Sequence, residues 1–130
     1  MNESGSNTVL LVEDHDDIRA AERLVLEQAG YVVAEASTGL DGLALAMATQ
    51  PRVVLLDMVL PGIDGTQLAR MLRADPAVRT VALLGMSASC APEDRASALD
   101  AGCDAFLSKP FSPLQLLDLV DRLMRISVGL

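Results

Sequence analysis

The chain has 130 residues, and 51% of them are apolar, which suffices for the core of one ordinary domain. Its formal net charge of −8 disfavours nonspecific binding to nucleic acids or anionic lipids, because an acidic surface repels both. No apolar run approaches the roughly 18 residues of a membrane-spanning helix, and the polar residues 1–7 lack the basic and apolar regions of a signal peptide. We therefore expect a cytoplasmic protein that binds neither membranes nor, directly, nucleic acids.

The first half of the chain alternates short apolar runs with longer amphipathic stretches. These patterns predict strands at 8–12, 31–36 and 53–57 and helices at 16–29 and 38–48. Gly30 supplies the stop of the first helix. Apolar residues at helical spacing predict the buried faces of the two helices, with Ile18, Ala21, Leu24, Val25 and Ala29 on the first and Leu40, Leu43, Ala44 and Met47 on the second.

The second half continues the alternation. It predicts helices at 66–74, 92–101 and from 113 to about 125, and strands at 81–87 and 105–108. Asp64 fits the start of the third helix as a cap, and Ser112 with Gln115 forms a capping-box pattern before the fifth. Strands that are apolar throughout are typical of parallel sheets covered on both faces, so the chain predicts a three-layer, doubly wound α/β domain.

Charged and polar side chains stand where the predicted strands end, and doubly wound sheets bind their ligands at that edge. Glu13 and Asp14 follow the first strand, Asp57 ends the third, Ser87 ends the fourth and Lys109 follows the fifth. Three carboxylates brought together repel each other unless a cation lies among them. Mg²⁺ prefers oxygen ligands and commonly takes one or two carboxylates together with phosphate oxygens. The sequence therefore predicts a magnesium site with room for a phosphate.

The same residues suit phosphoryl transfer. An ionised Asp57 can attack phosphorus and form an acyl phosphate. Such a reaction depends on positioning and on neutralising the phosphate oxygens, which the metal, the ammonium of Lys109 and the hydroxyl of Ser87 can supply.

Four motifs in sequence resemble the receiver domain of two-component response regulators: LLVEDH, LLDMVLPGIDG, LLGMSA and AGCDAFLSKPF. The resemblance runs from residue 8 to about 125. It implies a flavodoxin-like (βα)5 fold with a five-stranded parallel sheet of order 2-1-3-4-5. It also implies a domain at 8–126, between a disordered tail at 1–7 and a C-terminal tail at 127–130.

The resemblance assigns roles to particular residues. Asp57 corresponds to the phosphoacceptor, assisted by Lys109. The metal, Mg²⁺ or in its place Mn²⁺, would be held by Glu13, Asp14, Asp57 and the backbone carbonyl of Val59. The Lys109–Pro110 peptide is expected to be cis, as in the family.

The resemblance also implies a switch and partners. Ser87 would move toward the phosphate, and Phe106 would turn inward into the vacated space. A histidine kinase or a histidine phosphotransfer protein would donate the phosphoryl group, docking on the first helix and the loops beside Asp57. The fourth helix, fifth strand and fifth helix would form the output face and a homodimer interface. Such a domain is not an enzyme for other substrates, since it catalyses only its own phosphorylation and dephosphorylation.

The chain departs from the commonest family pattern at several positions. Phe106 stands where tyrosine is frequent, and Gly85 stands in the fourth strand where a bulkier apolar residue is usual. Gly85 is expected to loosen that strand. Val59 and Ser89 occupy positions that in the family tune the lifetime of the phosphate.

Simpler interpretations apply to other polar residues. Asp16 and Asp17 fit the solvated start of a helix, where negative charge is favoured. His15 is interpreted as a loop residue that could sense pH, because imidazole is a poor ligand for Mg²⁺. Cys90 and Cys103 are interpreted as free thiols in a reducing compartment.

Three other functions share part of this pattern. A phosphatase or dehalogenase-like hydrolase needs a second aspartate two residues after the nucleophile, and Val59 stands there. A flavin-binding electron carrier would hold a phosphate after the first strand, where the acidic residues of this chain would repel it. A receiver-like interaction module that is never phosphorylated remains as the alternative.

Overall fold

A computed structural model of the protein describes residues 7–89 and 91–128, with the backbone alone for residues 127 and 128. Most of the predicted tail at 1–7, the predicted free thiol of Cys90 and residues 129–130 therefore lie outside the described residues.

Five strands and five helices alternate along the described chain. The strands are β1 (Thr8–Val12), β2 (Val32–Ala36), β3 (Val53–Asp57), β4 (Ala82–Ser87) and β5 (Ala105–Ser108). The helices are α1 (Asp16–Gln28), α2 (Gly39–Thr49), α3 (Gly65–Ala74), α4 (Pro92–Asp100) and α5 (Pro113–Val128). Most predicted boundaries agree to within one residue, but α5 continues three residues beyond 125.

The strands form one parallel sheet of order β2-β1-β3-β4-β5, which confirms the flavodoxin-like architecture. Alternate strand residues enter two separate cores, as the pleat of a strand requires. Leu10 and Leu56 pack on the side of α2, α3 and α4, whereas Leu11 and Leu55 pack on the side of α1 and α5. Every residue of β3 is buried, so the sheet is covered on both faces.

Hydrogen bonds between side chain and backbone define the starts of two helices. Asp64 accepts from the backbone N–H of Gln67, and the Gln67 side chain accepts from that of Asp64, which makes a reciprocal capping box for α3. Ser112 and Gln115 form the same pair of bonds before α5. Both predicted caps are confirmed, and each satisfies backbone donors that the first turn of a helix leaves unpaired.

The predicted buried face of α1 is wrong. The buried residues of this helix are Glu22 and Leu26, whereas Ile18 and Leu24 are exposed. Of the predicted stripe, only Val25 is half-buried, whereas Ala21 and Ala29 are exposed to solvent.

The predicted buried face of α2 is also largely wrong, because the buried positions carry small residues, and of the predicted residues Leu43 alone packs against the core. The buried residues are Gly39, Gly42 and Ala46, whereas Leu40 and Met47 are exposed. Ala44 is exposed too, and Leu43 is half-buried. A Cβ atom on Gly42 would lie 2.9 Å from the side chain of Val12, and one on Gly39 would lie 2.4 Å from that of Ile63. The helix lies too close to its neighbours for larger side chains at these positions.

Gly85 makes room for two sulfur-containing side chains. A Cβ atom at this position would lie 2.9 Å from Sδ of Met58 and 3.2 Å from Sγ of Cys103. Cys103 is a buried free thiol, as predicted, and burial raises its pKa to about 11. The glycine lies in the middle of a fully buried strand, so its absent side chain is replaced by Met58 from the loop after β3.

The parallel hydrogen bonding continues past the strand ends. The N–H of Met58 donates to the carbonyl of Met86 at 2.8 Å, and that of Lys109 donates to the carbonyl of Ser87 at 2.7 Å. The N–H of Glu13 donates to the carbonyl of Ala36 at 3.0 Å. The polar residues that follow the strands are therefore fixed in the register of the sheet.

No helix in residues 7–89 and 91–128 is long and apolar enough to cross a membrane.

Candidate phosphoacceptor site

Asp57 is the centre of a polar cluster at the carboxyl edge of the sheet. It is the last residue of β3 and is only 5% exposed. Glu13, which directly follows β1, is fully buried. Lys109 donates hydrogen bonds to Oδ2 of Asp57 and to Oε1 of Glu13, each at 2.8 Å. One ammonium therefore bridges the two carboxylates, and the predicted meeting of these three side chains is confirmed.

Burial and the bridge act in opposite directions on the ionisation of these groups. Burial raises the pKa of Asp57 above its ordinary value, against hydrogen bonds from Lys109 and from the N–H of Val59. Burial would also raise the pKa of Glu13, but hydrogen bonds from Lys109 and His15 outweigh it and hold that pKa below its ordinary value. Burial would lower the pKa of Lys109, yet its two carboxylate partners keep it above the ordinary value.

A group of ligand atoms suitable for a cation lies beside this bridge. Carboxylate oxygens of Glu13, Asp14 and Asp57 and a ring nitrogen of His15 all lie within 4.8 Å of one another. Oδ1 of Asp14 is buried and accepts no hydrogen bond among the described residues, although it lies 3.4 Å from Nδ1 of His15. The side chain of Asp14 as a whole is 29% exposed, so the cluster opens to water. A buried carboxylate oxygen that accepts no hydrogen bond and lies amid other carboxylates fits a hard divalent cation.

His15 belongs to this cluster, which its sequence position did not predict. Its Nδ1 lies 3.0 Å from Oε2 of Glu13, and its backbone N–H donates to the same oxygen at 3.2 Å. The hydrogen bond to Glu13 and the charge of Asp14 raise the pKa of His15. The imidazole is largely exposed, whereas its partner Glu13 is fully buried.

Arg19 fixes the segment that carries the first two carboxylates, and sequence reasoning missed it as well. Its guanidinium donates to the backbone carbonyl of Glu13 at 2.8 Å, to Asp16 at 2.8 Å and to Glu35 at 3.1 Å. The fork of donors thereby joins the loop after β1 to α1 and β2. An arginine within a run of acidic residues was the only sequence signal for this role.

The loop after β3 is held tightly against Asp57. The N–H of Val59 donates to Oδ1 of Asp57 at 2.9 Å, and the N–H of Gly65 donates to the carbonyl of Met58 at 3.1 Å. A Cβ atom on Gly65 would lie 2.5 Å from the carbonyl oxygen of Asp57 and 2.5 Å from Cα of Met58. The start of α3 therefore packs directly on the backbone of the candidate phosphoacceptor.

Ser87 and Phe106 lie on the opposite side of Asp57 from Glu13. Oγ of Ser87 accepts from the N–H of Ser89 at 3.1 Å. Phe106 is buried, with the guanidinium carbon of Arg95 at 5.9 Å from the centre of its ring. A cavity of about 150 Å³ lies among Ser87, Phe106, Met58 and their neighbours. The Lys109–Pro110 peptide is cis, as the resemblance implied.

Comparison with known proteins agrees with this architecture. The sequence model of the response regulator receiver domain matches residues 9–121, and the chain belongs to that family. The chain is thus a receiver domain of the kind found in the response regulators of two-component signalling.

Particular relatives give the degree of similarity. The transcriptional regulatory protein CseB of Streptomyces coelicolor is 38% identical over 117 residues, which cover 90% of this chain and 49% of CseB. The chain thus spans about half the length of the curated relatives it matches. A putative response regulator from Chloroflexus aurantiacus has a similar structure, with a TM-score of 0.87 at 32% identity, covering 91% of this chain and 97% of the other.

A third relative bears on the metal. The receiver domain of a sensor histidine kinase from Pseudomonas aeruginosa PAO1 has a TM-score of 0.85 at 29% identity and covers 91% of this chain and 97% of its own. That structure is described as having a magnesium ion coordinated in its active site cleft.

Proposed function

We propose that Asp57 is the residue that accepts the phosphoryl group. The bridge from Lys109 to Asp57 and Glu13 carries this proposal, because it places a cation within hydrogen-bond distance of the buried carboxylate that would react. The ionised Oδ of Asp57 would attack phosphorus in line with the leaving group, and the bond from phosphorus to the donor would break. Lys109 would then follow the growing negative charge to a phosphate oxygen.

We further propose that the reaction needs Mg²⁺, for which Mn²⁺ can substitute. Glu13, Asp14 and Asp57 are the ligands, and their mutual approach supports the assignment. The backbone carbonyl of Val59 remains a predicted fourth ligand. The ion, when bound, would neutralise oxygens of the transferred phosphoryl group.

The remaining proposals concern partners. Receiver domains of response regulators interact with histidine kinases. We propose that a phosphohistidine on such a kinase, or on a histidine phosphotransfer protein, is the donor, and that it docks on α1 and the loops beside Asp57.

The face of α4, β5 and α5 would carry the output and could pair two copies. Ser87 would move toward the phosphate and Phe106 would turn inward into the vacated space, which would connect phosphorylation to the output face. Cytoplasmic location, the absence of direct nucleic-acid binding and domain limits at 8–126 stay predictions.

Incubation with acetyl phosphate, with and without Mg²⁺, tests the phosphoacceptor and the metal together. Intact-mass measurement should show one added phosphoryl group on wild type with Mg²⁺, none on Asp57→Asn, and little without the metal. Asp14→Asn should need much more Mg²⁺ than wild type, whereas the matched change Asp17→Asn, at an exposed neighbour, should not. Equal labelling of Asp57→Asn and wild type would refute the assignment. Absence of labelling in every protein would favour the unphosphorylated interaction module.

A further inference from the structure

Glu22 is a buried carboxyl group that the proposed reaction does not use. It lies in the middle of α1 on the face that packs toward the sheet, and it is only 6% exposed. Its Oε1 is buried and has no hydrogen-bond partner among the residues the structure describes. Buried polar atoms are nearly always paired, and an unpaired carboxylate in the interior is costly. An acidic residue on this face therefore needs a physical reason.

The surroundings of Glu22 connect it to the site. A groove of about 410 Å³ separates α1 from the segment after β5, and Glu22 lies in it with Asp17, Ile18, Ala21, Lys109, Pro110 and Phe111. Burial raises the pKa of Glu22 to about 7, helped by the negative charges of Glu13 and Asp57 and opposed by the positive charge of Lys109. Glu22 thus interacts electrostatically with each member of the bridge, although none of them donates a hydrogen bond to it.

Lys109 has the capacity to reach a third acceptor. A lysine ammonium carries three N–H donors. Among the described residues, two of these donors are used, by Glu13 and Asp57. Lys109 and the unpaired Glu22 border the same groove, so an ionised Glu22 offers the ammonium an alternative partner on the α1 side of the site.

We propose that Glu22 is a positioning residue for Lys109, whose carboxylate competes with the phosphoryl group for the ammonium and thereby slows phosphoryl uptake by Asp57. This inference rests on the proposed role of Asp57. Transfer requires Lys109 to follow the incoming phosphate, and a carboxylate on the other side of the lysine opposes that movement. The same negative charge also repels the anionic donor.

The rate of phosphorylation by acetyl phosphate in saturating Mg²⁺ tests this proposal. Glu22→Gln and Glu22→Leu should react about three- to tenfold faster than wild type near pH 8, the effect expected of one unit charge several ångströms away in a partly solvated site. The ratio of the variant rate to the wild-type rate should fall toward one as the pH drops and Glu22 gains a proton. Asp17→Asn removes a charge from the same groove at an exposed position, and solvent screening should leave its rate within twofold of wild type. A ratio that is one throughout, or that is the same at every pH, would overturn the proposal.

A second measurement does not require phosphorylation. His15 also titrates near neutral pH beside Glu13, so the comparison is made in a His15→Asn background. There the chemical shifts of ¹³Cε and ¹⁵Nζ of Lys109 should show a titration step in the neutral pH range that is missing once Glu22→Gln is added. If wild type takes up no phosphoryl group while this step is present, the proposed function fails and the coupling of Glu22 to Lys109 stands. If wild type is phosphorylated and the step is absent, only the inference about Glu22 fails.

Discussion

The ammonium of Lys109 lies 2.8 Å from Oδ2 of Asp57 and at the same distance from Oε1 of Glu13, so a single cation compensates two buried carboxylates. The proposed metal ligands include both of these carboxylates. The lysine and the metal therefore neutralise the same negative charge, so the affinity for the metal should depend on whether the lysine is present.

Replacement of the lysine tests this competition. Lys109→Met should bind Mg²⁺ about tenfold more tightly than wild type by calorimetry, because the carboxylates lose their internal counter-ion. Without the metal it should lose roughly 2–3 kcal/mol of stability, since two buried charges are left uncompensated. Added Mg²⁺ should restore part of that loss in a urea titration.

The control for this change is Arg122→Met, which removes an exposed cation paired with Asp118 in α5. Exposed pairs of this kind contribute about 0–1 kcal/mol, so neither stability nor Mg²⁺ affinity should change much. Weaker Mg²⁺ binding in Lys109→Met than in wild type would contradict the competition.

Glu22→Leu should stabilise the protein, and the gain should depend on pH. The pKa of Glu22 is raised from 4.5 to about 7 on folding, so the folded state binds its proton more tightly than the unfolded state. Wild-type stability contributed by this group is therefore present below pH 4.5 and is lost as pH rises toward 7. Urea unfolding should show a gap between variant and wild type that widens over this interval to about 1–3 kcal/mol. A gap of constant size across these pH values would show that Glu22 is not the titrating group.

Gly85→Ala tests the packing of sulfur atoms against β4. The added methyl group would press on Met58, whose side chain can bend, and on Cys103, which is buried in the core. We expect a loss of about 1 kcal/mol, at the lower end of overpacking effects. In a Met58→Ala background the same change should be neutral or stabilising, because it fills the space that Met58 leaves. A double-mutant cycle by chemical denaturation measures this coupling, and additive effects would exclude it.

Gly65 and Gly62 make a matched pair for the loop after Asp57. Gly65→Ala should lower stability by about 3 kcal/mol or more and slow phosphorylation, because its Cβ atom would meet backbone atoms of Asp57 and Met58 that cannot move independently of the site. Gly62 has φ of +77° but open space around it. Gly62→Asn should be tolerated, since asparagine adopts this conformation readily. Thermal unfolding with acetyl phosphate labelling would separate the two, and a harmless Gly65→Ala would contradict the packing described here.

The strands and the meeting of Glu13, Asp14, Asp57 and Lys109 followed from the sequence, whereas the helix faces did not. Continuous apolar runs such as Val53–Asp57 have one stable placement, buried on both sides in a parallel sheet, and this placement puts the residues at their carboxyl ends together. Helical spacing gave the wrong face for α2, because close approach to Val12 and Ile63 selects glycines there. Propensity patterns count large apolar side chains and therefore overlook contacts made by the smallest ones.

His15, Arg19 and Glu22 show a second limit of the sequence. Each is polar and follows Glu13 within nine residues, and residue spacing assigned none of them to the cluster. His15 is largely exposed, yet it contacts the buried Glu13. Arg19 is instead drawn inward by a backbone carbonyl, and Glu22 is buried by the packing of the whole helix. Such contacts depend on the three-dimensional arrangement of α1 against two strands, which residue spacing alone does not determine.

The hydrogen bonds that extend past β3 and β5 tie Met58 and Lys109 to Met86 and Ser87 at the end of β4, as firmly as residues inside the strands. A deletion of a single residue within any of these strands would rotate the following side chain to the other face of the sheet. Arg52 continues the hydrogen bonding before β3 in the same way, but no residue of the candidate site lies at that amino-terminal edge. We therefore expect natural and laboratory variants to gain or lose residues at the opposite, amino-terminal edge of the sheet and to keep the spacing of the carboxyl edge intact.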